Sequence, residues 1–238
     1  VIKIIKQVVD KKQPYLFSLS MGVDSLAAFI WMKIAGYEVV PVHFNHKLRP
    51  QNDLMEKKFL EFCKDFNTKS DFITHSPTLT LDTKECHTEA DFRNLRIEFY
   101  KDISAFAKQV LYLGDLTPTI ITAHHLNDYV ESYLLNCFRG HPNHTPIELE
   151  SEFNFGESRF KIIHPFLLTK KKDFIQFIER NNYNKYLVED ETNKVSKGSR
   201  RNWIRNTILP EMRKNKLSLE KFAKRKIESS LKLKSFMV

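Results

Sequence analysis

The stretch YLFSLSMGVDSLAAFIWMKIAG, residues 15–36, governs how the whole chain is read. YLFSL (15–19) is an apolar run of strand length, and DSLAAFIWMKIA (24–35) has a helical pattern stopped by Gly36. Between them Ser20-Met21-Gly22-Val23-Asp24-Ser25 turns directly into the helix. Such a turn offers an anion the unpaired N–H groups and the positive dipole end of a helix N-terminus. Ser20 and Ser25 add hydroxyl donors, and Gly22 lets a phosphate approach the backbone closely. An ordinary turn between strand and helix would ask only for Asp24 as an N-cap. The Gly-Lys-Ser/Thr of a Walker A loop is absent.

Outward from this loop, apolar runs alternate with helical patterns. EVVPVHF (38–44), DFITH (71–75), TIITAH (119–124) and KIIHPF (161–166) read as strands. LMEKKFLEFCKDF (54–66), EADFRNLRIEFYKDISAFAKQV (89–110), NDYVESYLLNCF (127–138) and KDFIQFIERN (172–181) read as helices, the second with Phe92, Leu95, Phe99 and Ile103 as its apolar stripe. This rhythm predicts an α/β fold: a mainly parallel, doubly wound sheet with helices on both faces. Ligands in such sheets bind beyond the carboxyl ends of the strands. GHPNHTPIELESEFNFGES (140–158) has the weakest pattern and reads as a loop. The pattern changes again after Pro210, so the expected organisation is a catalytic domain over 1–210 and a basic extension over 211–238. Within the extension, 216–237 is a basic amphipathic helix with Leu217, Phe222, Ile227 and Leu231 as apolar markers.

The chain has 238 residues, 42% hydrophobic, with 38 Lys+Arg against 29 Asp+Glu for a net charge of +9. That suffices for a real core and excludes global disorder. No apolar run approaches the roughly 18 residues of a membrane span, and no signal peptide is visible, which points to the cytoplasm. Three scattered cysteines without a CxxC do not suggest a disulfide framework. The charge is uneven. Residues 1–193 carry 24 basic and 26 acidic residues, whereas 194–238 carry 14 and 3. A basic block beside a near-neutral body suits either a polyanionic partner or a solvated tail.

His124, Asp128 and Glu131 stand at i, i+4 and i+7 where a strand hands over to a helix, so they are expected on one face of that helix. Two carboxylates and an imidazole suit holding an amine, accepting its proton or binding Mg²⁺. Arg93 and Arg96 are one turn apart, as are Arg201 and Arg205, with Trp203 and Ile204 expected beneath the latter pair. Arginine's planar fork favours phosphate or carboxylate.

These segments resemble a known family. The loop 20–25 is similar to the SGGxDS loop of the N-type ATP pyrophosphatases, with Met21 in place of the first glycine. HFNHKLRP (43–50), EADFRNLRIEFY (89–100), TAHHLNDYVES (122–132) and VEDETNKVSKGSRRNWIRNTILP (188–210) resemble, in order, four further motifs of the tRNA(Ile)-lysidine synthetases. The resemblance implies an adenine nucleotide alpha hydrolase-like fold and a two-step reaction. ATP adenylates O2 of the wobble cytidine in a CAU-anticodon tRNA(Ile), and free L-lysine then displaces AMP to leave lysidine. It implies ATP contacts at Ser20, Met21, Gly22, Val23, Asp24 and Ser25, with Asp24 also near Mg²⁺. It assigns catalytic roles to Asp128, Glu131, Arg93, Arg201 and His124, and substrate or tRNA contacts to His46, Arg49, Arg96, Arg139 and Arg205.

Two features depart from the family. Arg139-Gly140 continues as His141-Pro142-Asn143-His144 where a glycine-rich run is usual, and the chain stops after one basic helix, like the family's short forms. Two histidines alone make a weak metal site. The rival readings are a tRNA thiolase of the same ATP-binding class, an amide-forming relative, and a non-catalytic nucleotide- or RNA-binding module.

Overall fold

A computed structural model describes residues 2–45, 50–66, 73–75, 89–110, 114, 116–156, 158–188 and 199–235. Strands β1 (Tyr15–Ser18), β2 (Val39–Asn45), β3 (Ile73–His75), β4 (Thr119–Ile121), β5 (Glu150–Phe155) and β6 (Ser158–Ile163) form one sheet in the order β3-β2-β1-β4-β6-β5. Every pair is parallel except β5 with β6. The helices are α1 (Val23–Ile34), α2 (Pro50–Asp65), α3 (Glu89–Val110), α4 (Leu126–Phe138), α5 (Lys171–Arg180), α6 (Arg200–Trp203), α7 (Leu209–Lys214) and α8 (Glu220–Ser235).

Alternation along the strands divides the core. Tyr15, Phe17, Val39, Ile121 and Ile163 point to one face, where they meet Phe29 of α1, Phe59 and Phe62 of α2 and Phe174 of α5. Leu16, Val40, Val42, Ile120 and Ile162 point to the other, against Phe99, Tyr100 and Ile103 of α3. A sheet covered on both faces has few polar strand positions, which is why these strands read as continuous apolar runs. Helix α1 ends in a Schellman motif: Gly36 takes φ +79°, its N–H donates to the Lys33 carbonyl, and the Tyr37 N–H donates to that of Met32.

Three expectations need correction. Residues 140–158 are not all loop, because 150–155 form β5, an edge strand antiparallel to β6. Its acidic outer positions pair with β6 (Lys161 to Glu150 at 2.9 Å and to Glu152 at 2.7 Å), while Phe153 stacks on Phe160 at 5.0 Å. The extension, too short to be a domain of its own, packs on the body: Ala223 and Ile227 of α8 are buried in a third cluster with Leu126, Tyr129 and Val130 of α4. Leu217 is not on its apolar face but precedes the helix, 58% exposed. Finally, the segment before Pro210 is not a plain α-helix, since 204–208 form a π-helical turn. Proline lacks an N–H and its ring crowds the preceding turn, and a widened turn accommodates both.

Candidate active site

The chain runs from β1 outward to β2 and β3 and then returns to β4 on β1's other side. The carboxyl ends of β1 and β4 therefore flank the point where the winding reverses, the usual ligand crevice of such sheets. β1 delivers the 20–25 loop to this crevice, and β4 delivers residues 122–125 and the start of α4.

The loop is tied by its own hydroxyls. Ser25 Oγ accepts from the Ser20 N–H at 3.2 Å, lies 3.0 Å from Ser20 Oγ and donates to the Gly22 carbonyl at 3.1 Å. Gly22, not Asp24, occupies the N-cap of α1. Met21 takes the left-handed conformation, φ 60°, that a glycine would adopt without penalty, and its side chain is fully buried in the core. The substitution thus keeps a glycine-type turn and adds apolar packing.

Asp24 faces α4. His125, fully buried, caps α4: its backbone N–H donates to Asp128 Oδ2 at 2.9 Å and its Nδ1 accepts from the Asp128 N–H at 3.3 Å. Its other nitrogen, Nε2, lies 3.4 Å from Asp24 Oδ1. That contact falls outside hydrogen-bond geometry, and both atoms are buried without a hydrogen bond. Burial works to lower the His125 pKa, but the Asp128 and Asp24 charges outweigh it and raise it. Burial alone would raise the Asp128 carboxyl, yet the His125 ring, the His125 backbone N–H and Arg201 hold it below the usual range. Lys171, at the start of α5, adds a cation 3.8 Å from Asp24 Oδ2.

One turn further along α4, Glu131 is 2% exposed and held by an arginine fork. Arg205 donates to both of its oxygens, Nε to Oε1 at 2.8 Å and Nη2 to Oε2 at 2.7 Å, and lies 3.7 Å from Asp128 Oδ1. Arg201 donates to Ser132 Oγ and lies 3.7 Å from Glu131. The π-helical turn carries Arg205, and such turns recur at functional sites. On the neighbouring wall His124 Nδ1 is 2.7 Å from Thr122 Oγ1, and its ring meets that of His164 edge-on at 4.9 Å. Burial and the mutual proximity of the pair push His124 down to about 3; burial likewise pushes His164 down to about 4, against its hydrogen bond to the Glu148 carbonyl. Both rings are neutral at physiological pH.

A family model described as a PP-loop domain matches residues 1–212. The chain belongs to the PP-loop family. Its curated relatives include three called tRNA(Ile)-lysidine synthase. Those of Enterococcus faecalis and Lactococcus lactis are each 28% identical, over 83% and 90% of this chain, and that of Streptococcus mutans is 30% identical over 87%. The chain spans 40–45% of the length of these relatives. Among solved structures, the U34-tRNA thiolase NcsA from Methanococcus maripaludis with its [4Fe-4S] cluster superposes with a TM-score of 0.67 at 15% identity, covering 95% of this chain and 74% of that one. At that identity the likeness concerns the fold alone.

The PP-loop crevice brings together Ser20, Gly22, Asp24, Ser25, His124, Asp128, Glu131, Arg201 and Arg205. His124 precedes α4 and is not on its face as expected, and Trp203 is exposed where Ile204 alone is buried. Arg93 and Arg96 are exposed on α3, their charges reaching His164 and His124 respectively. Tyr100, on the same helix, ties α3 to the end of β1 by donating to Ser18 Oγ at 2.8 Å. Arg139 is not in the crevice; it caps the far end of α4. His46, Arg49 and the segment 189–198 lie outside the described residues. Sequence reasoning missed His125, Lys171 and His164. A histidine before a helix with an aspartate three residues on is a readable reciprocal cap; Lys171 and His164 gave no local signal. Cys63 is buried in the core, where desolvation pushes its thiol up to about 12. Among the described residues no group of three His, Cys, Asp or Glu could hold a metal, and no helix is long and apolar enough to cross a membrane.

Proposed function

We propose that this PP-loop crevice uses ATP to ligate L-lysine to C2 of the wobble cytidine of a CAU-anticodon tRNA(Ile). The observation that carries the reading is the placement of Asp128 and Glu131 beside a phosphate loop, in a chain whose relatives bear the lysidine synthase name. The 20–25 loop holds the ATP phosphates with its backbone N–H groups and hydroxyls. Cytidine O2 attacks the α-phosphorus and pyrophosphate leaves. The lysine ε-amine then attacks C2, and the C–O electron pair departs with AMP.

Asp24 suits a divalent cation, since its Oδ1 is buried without a hydrogen bond and Mg²⁺ commonly takes one carboxylate plus phosphate and water oxygens. When bound, the cation neutralises charge on the leaving pyrophosphate. A carboxylate held as acidic as Asp128 is a weak base, so it orients the lysine ammonium more than it takes the proton. A free lysine amine, with a pKa of about 10.4, arrives largely protonated, is drawn to that charge, and gives its ammonium proton to solvent before its lone pair attacks C2. Glu131 fixes the Arg205 and Arg201 forks, which face the negative charge of the adenylate. Purified protein with Mg²⁺-ATP and CAU-anticodon tRNA(Ile) is expected to incorporate labelled lysine into the RNA. Absence of incorporation, with ATP still bound, removes the ligase reading and leaves a nucleotide-binding module.

A further inference from the structure

At the far end of α4 two large aromatic side chains stand in solvent. Phe138 is 55% exposed and Trp203 41% exposed, with ring centroids 5.9 Å apart and planes tilted by 45°. Isolated exposed apolar residues are ordinary, but a touching Phe–Trp pair is a patch. Its setting is cationic. Arg139 follows Phe138, Arg200 lies one turn before Trp203, both are exposed, and neither makes an ion pair among the described residues. The two stretches that build the patch, 132–147 and 199–210, contain no Asp or Glu. Beyond Arg139, His141 and His144 stack almost flat, at 4.8 Å and 7°. Phe138 is seven residues past Glu131, hence on the same face of α4 and roughly 10 Å further along it. That is about the rise of three stacked nucleotides.

We infer that Phe138 and Trp203, flanked by Arg139 and Arg200, form a stacking platform for unpaired RNA bases next to the nucleotide held in the crevice. Flat apolar rings beside cations that make no ion pair among the described residues match a partner that combines exposed base faces with phosphates, as single-stranded loops do. A duplex hides its base faces and gains only the charge. The proposal rests on the RNA substrate of the preceding section but not on the chemistry done to it.

The chain has two tryptophans, so a Trp31→Phe variant leaves Trp203 as the sole indole. Titrating it with a CAU anticodon stem-loop oligonucleotide should quench the emission, and a fully paired duplex of equal length should leave it nearly unchanged. Trp203→Ala should weaken stem-loop affinity roughly 5- to 150-fold, the range for losing one stacked base. Trp203→Phe should recover most of that loss, and ATP affinity should not move in either. Quenching by loops of any sequence without lysine transfer supports the platform and counts against the lysidine reading alone. Equal quenching by duplex, or unchanged stem-loop affinity in Trp203→Ala, overturns the proposal. Self-association that Trp203→Ala disperses without any effect on RNA also overturns it, assigning the patch to a second copy of the chain.

Discussion

At the first turns of α4, Asp128 and Glu131 are enclosed by His125, Arg201 and Arg205, whereas at its last turn Phe138 and Arg139 face solvent. The first end consists of buried charges, each answered by an opposite charge or a hydrogen bond. The last end consists of exposed rings and cations that make no ion pair among the described residues. Buried ion pairs are costly to break and therefore fix geometry, while exposed aromatic groups contribute little to folding and are free to meet a partner. One rigid helix thus links a place for chemistry to a place for recognition, at a separation set by its rise.

The sharpest way to break this contrast is to truncate each end. Glu131→Ala leaves two arginines without their carboxylate and should destabilise the fold by about 3–5 kcal/mol in urea unfolding. Phe138→Ala should change stability by about 0.5 kcal/mol or less. Comparable losses at both ends would erase the distinction. Acid should then sharpen it. His124 and His164 are held neutral, with folded pKa values of about 3 and about 4, below the ordinary 6.5. The unfolded chain binds protons on them first, so their stability is fully present above pH 6.5 and is lost as pH falls toward 4. Between pH 7 and pH 5 the loss should be about 2–4 kcal/mol, and His124→Asn should flatten that slope in thermal melts. His125 and Asp128 have opposite windows: the raised histidine loses its contribution as pH rises above 6.5, and the depressed aspartate loses its own below its usual 3.8. The smallest effect is expected across the crevice. Met21→Gly relieves a left-handed backbone but gives up a fully buried side chain. A net destabilisation of about 1–2 kcal/mol with ATP affinity preserved is the expected result. A gain in stability would mean that the strain outweighs the packing.

Local regularity made part of this legible. The apolar strand at 15–18, the helix stopped at Gly36 and the stripe of Leu95, Phe99 and Ile103 all follow periodicities that survive into the fold. β5 was hidden because an edge strand is half-exposed, and its Glu150 and Glu152 look like loop residues until Lys161 is placed opposite. The docking of α8 was hidden because only Ala223 and Ile227 are fully buried among its basic residues. Within the candidate site, the phosphate loop and the acidic pair could be picked out as motifs. What each side chain faces could not. The fork from Arg205 to Glu131 joins residues 74 positions apart, and the meeting of His125 with Asp24 depends on β1 and β4 being neighbours in the sheet. Sequence spacing carries no record of such pairings.

The division of roles around α4 is tested most directly by Asp128→Asn. Asparagine can still accept the His125 N–H, so the cap and the neighbouring loop should persist while the charge is lost. ATP binding and lysine incorporation into CAU-anticodon tRNA(Ile) are to be measured side by side in the variant and the parent. The account predicts ATP affinity within a few-fold and lysine transfer reduced by about 10²–10³. Transfer at the parental rate, or loss of ATP binding in step with transfer, would contradict it.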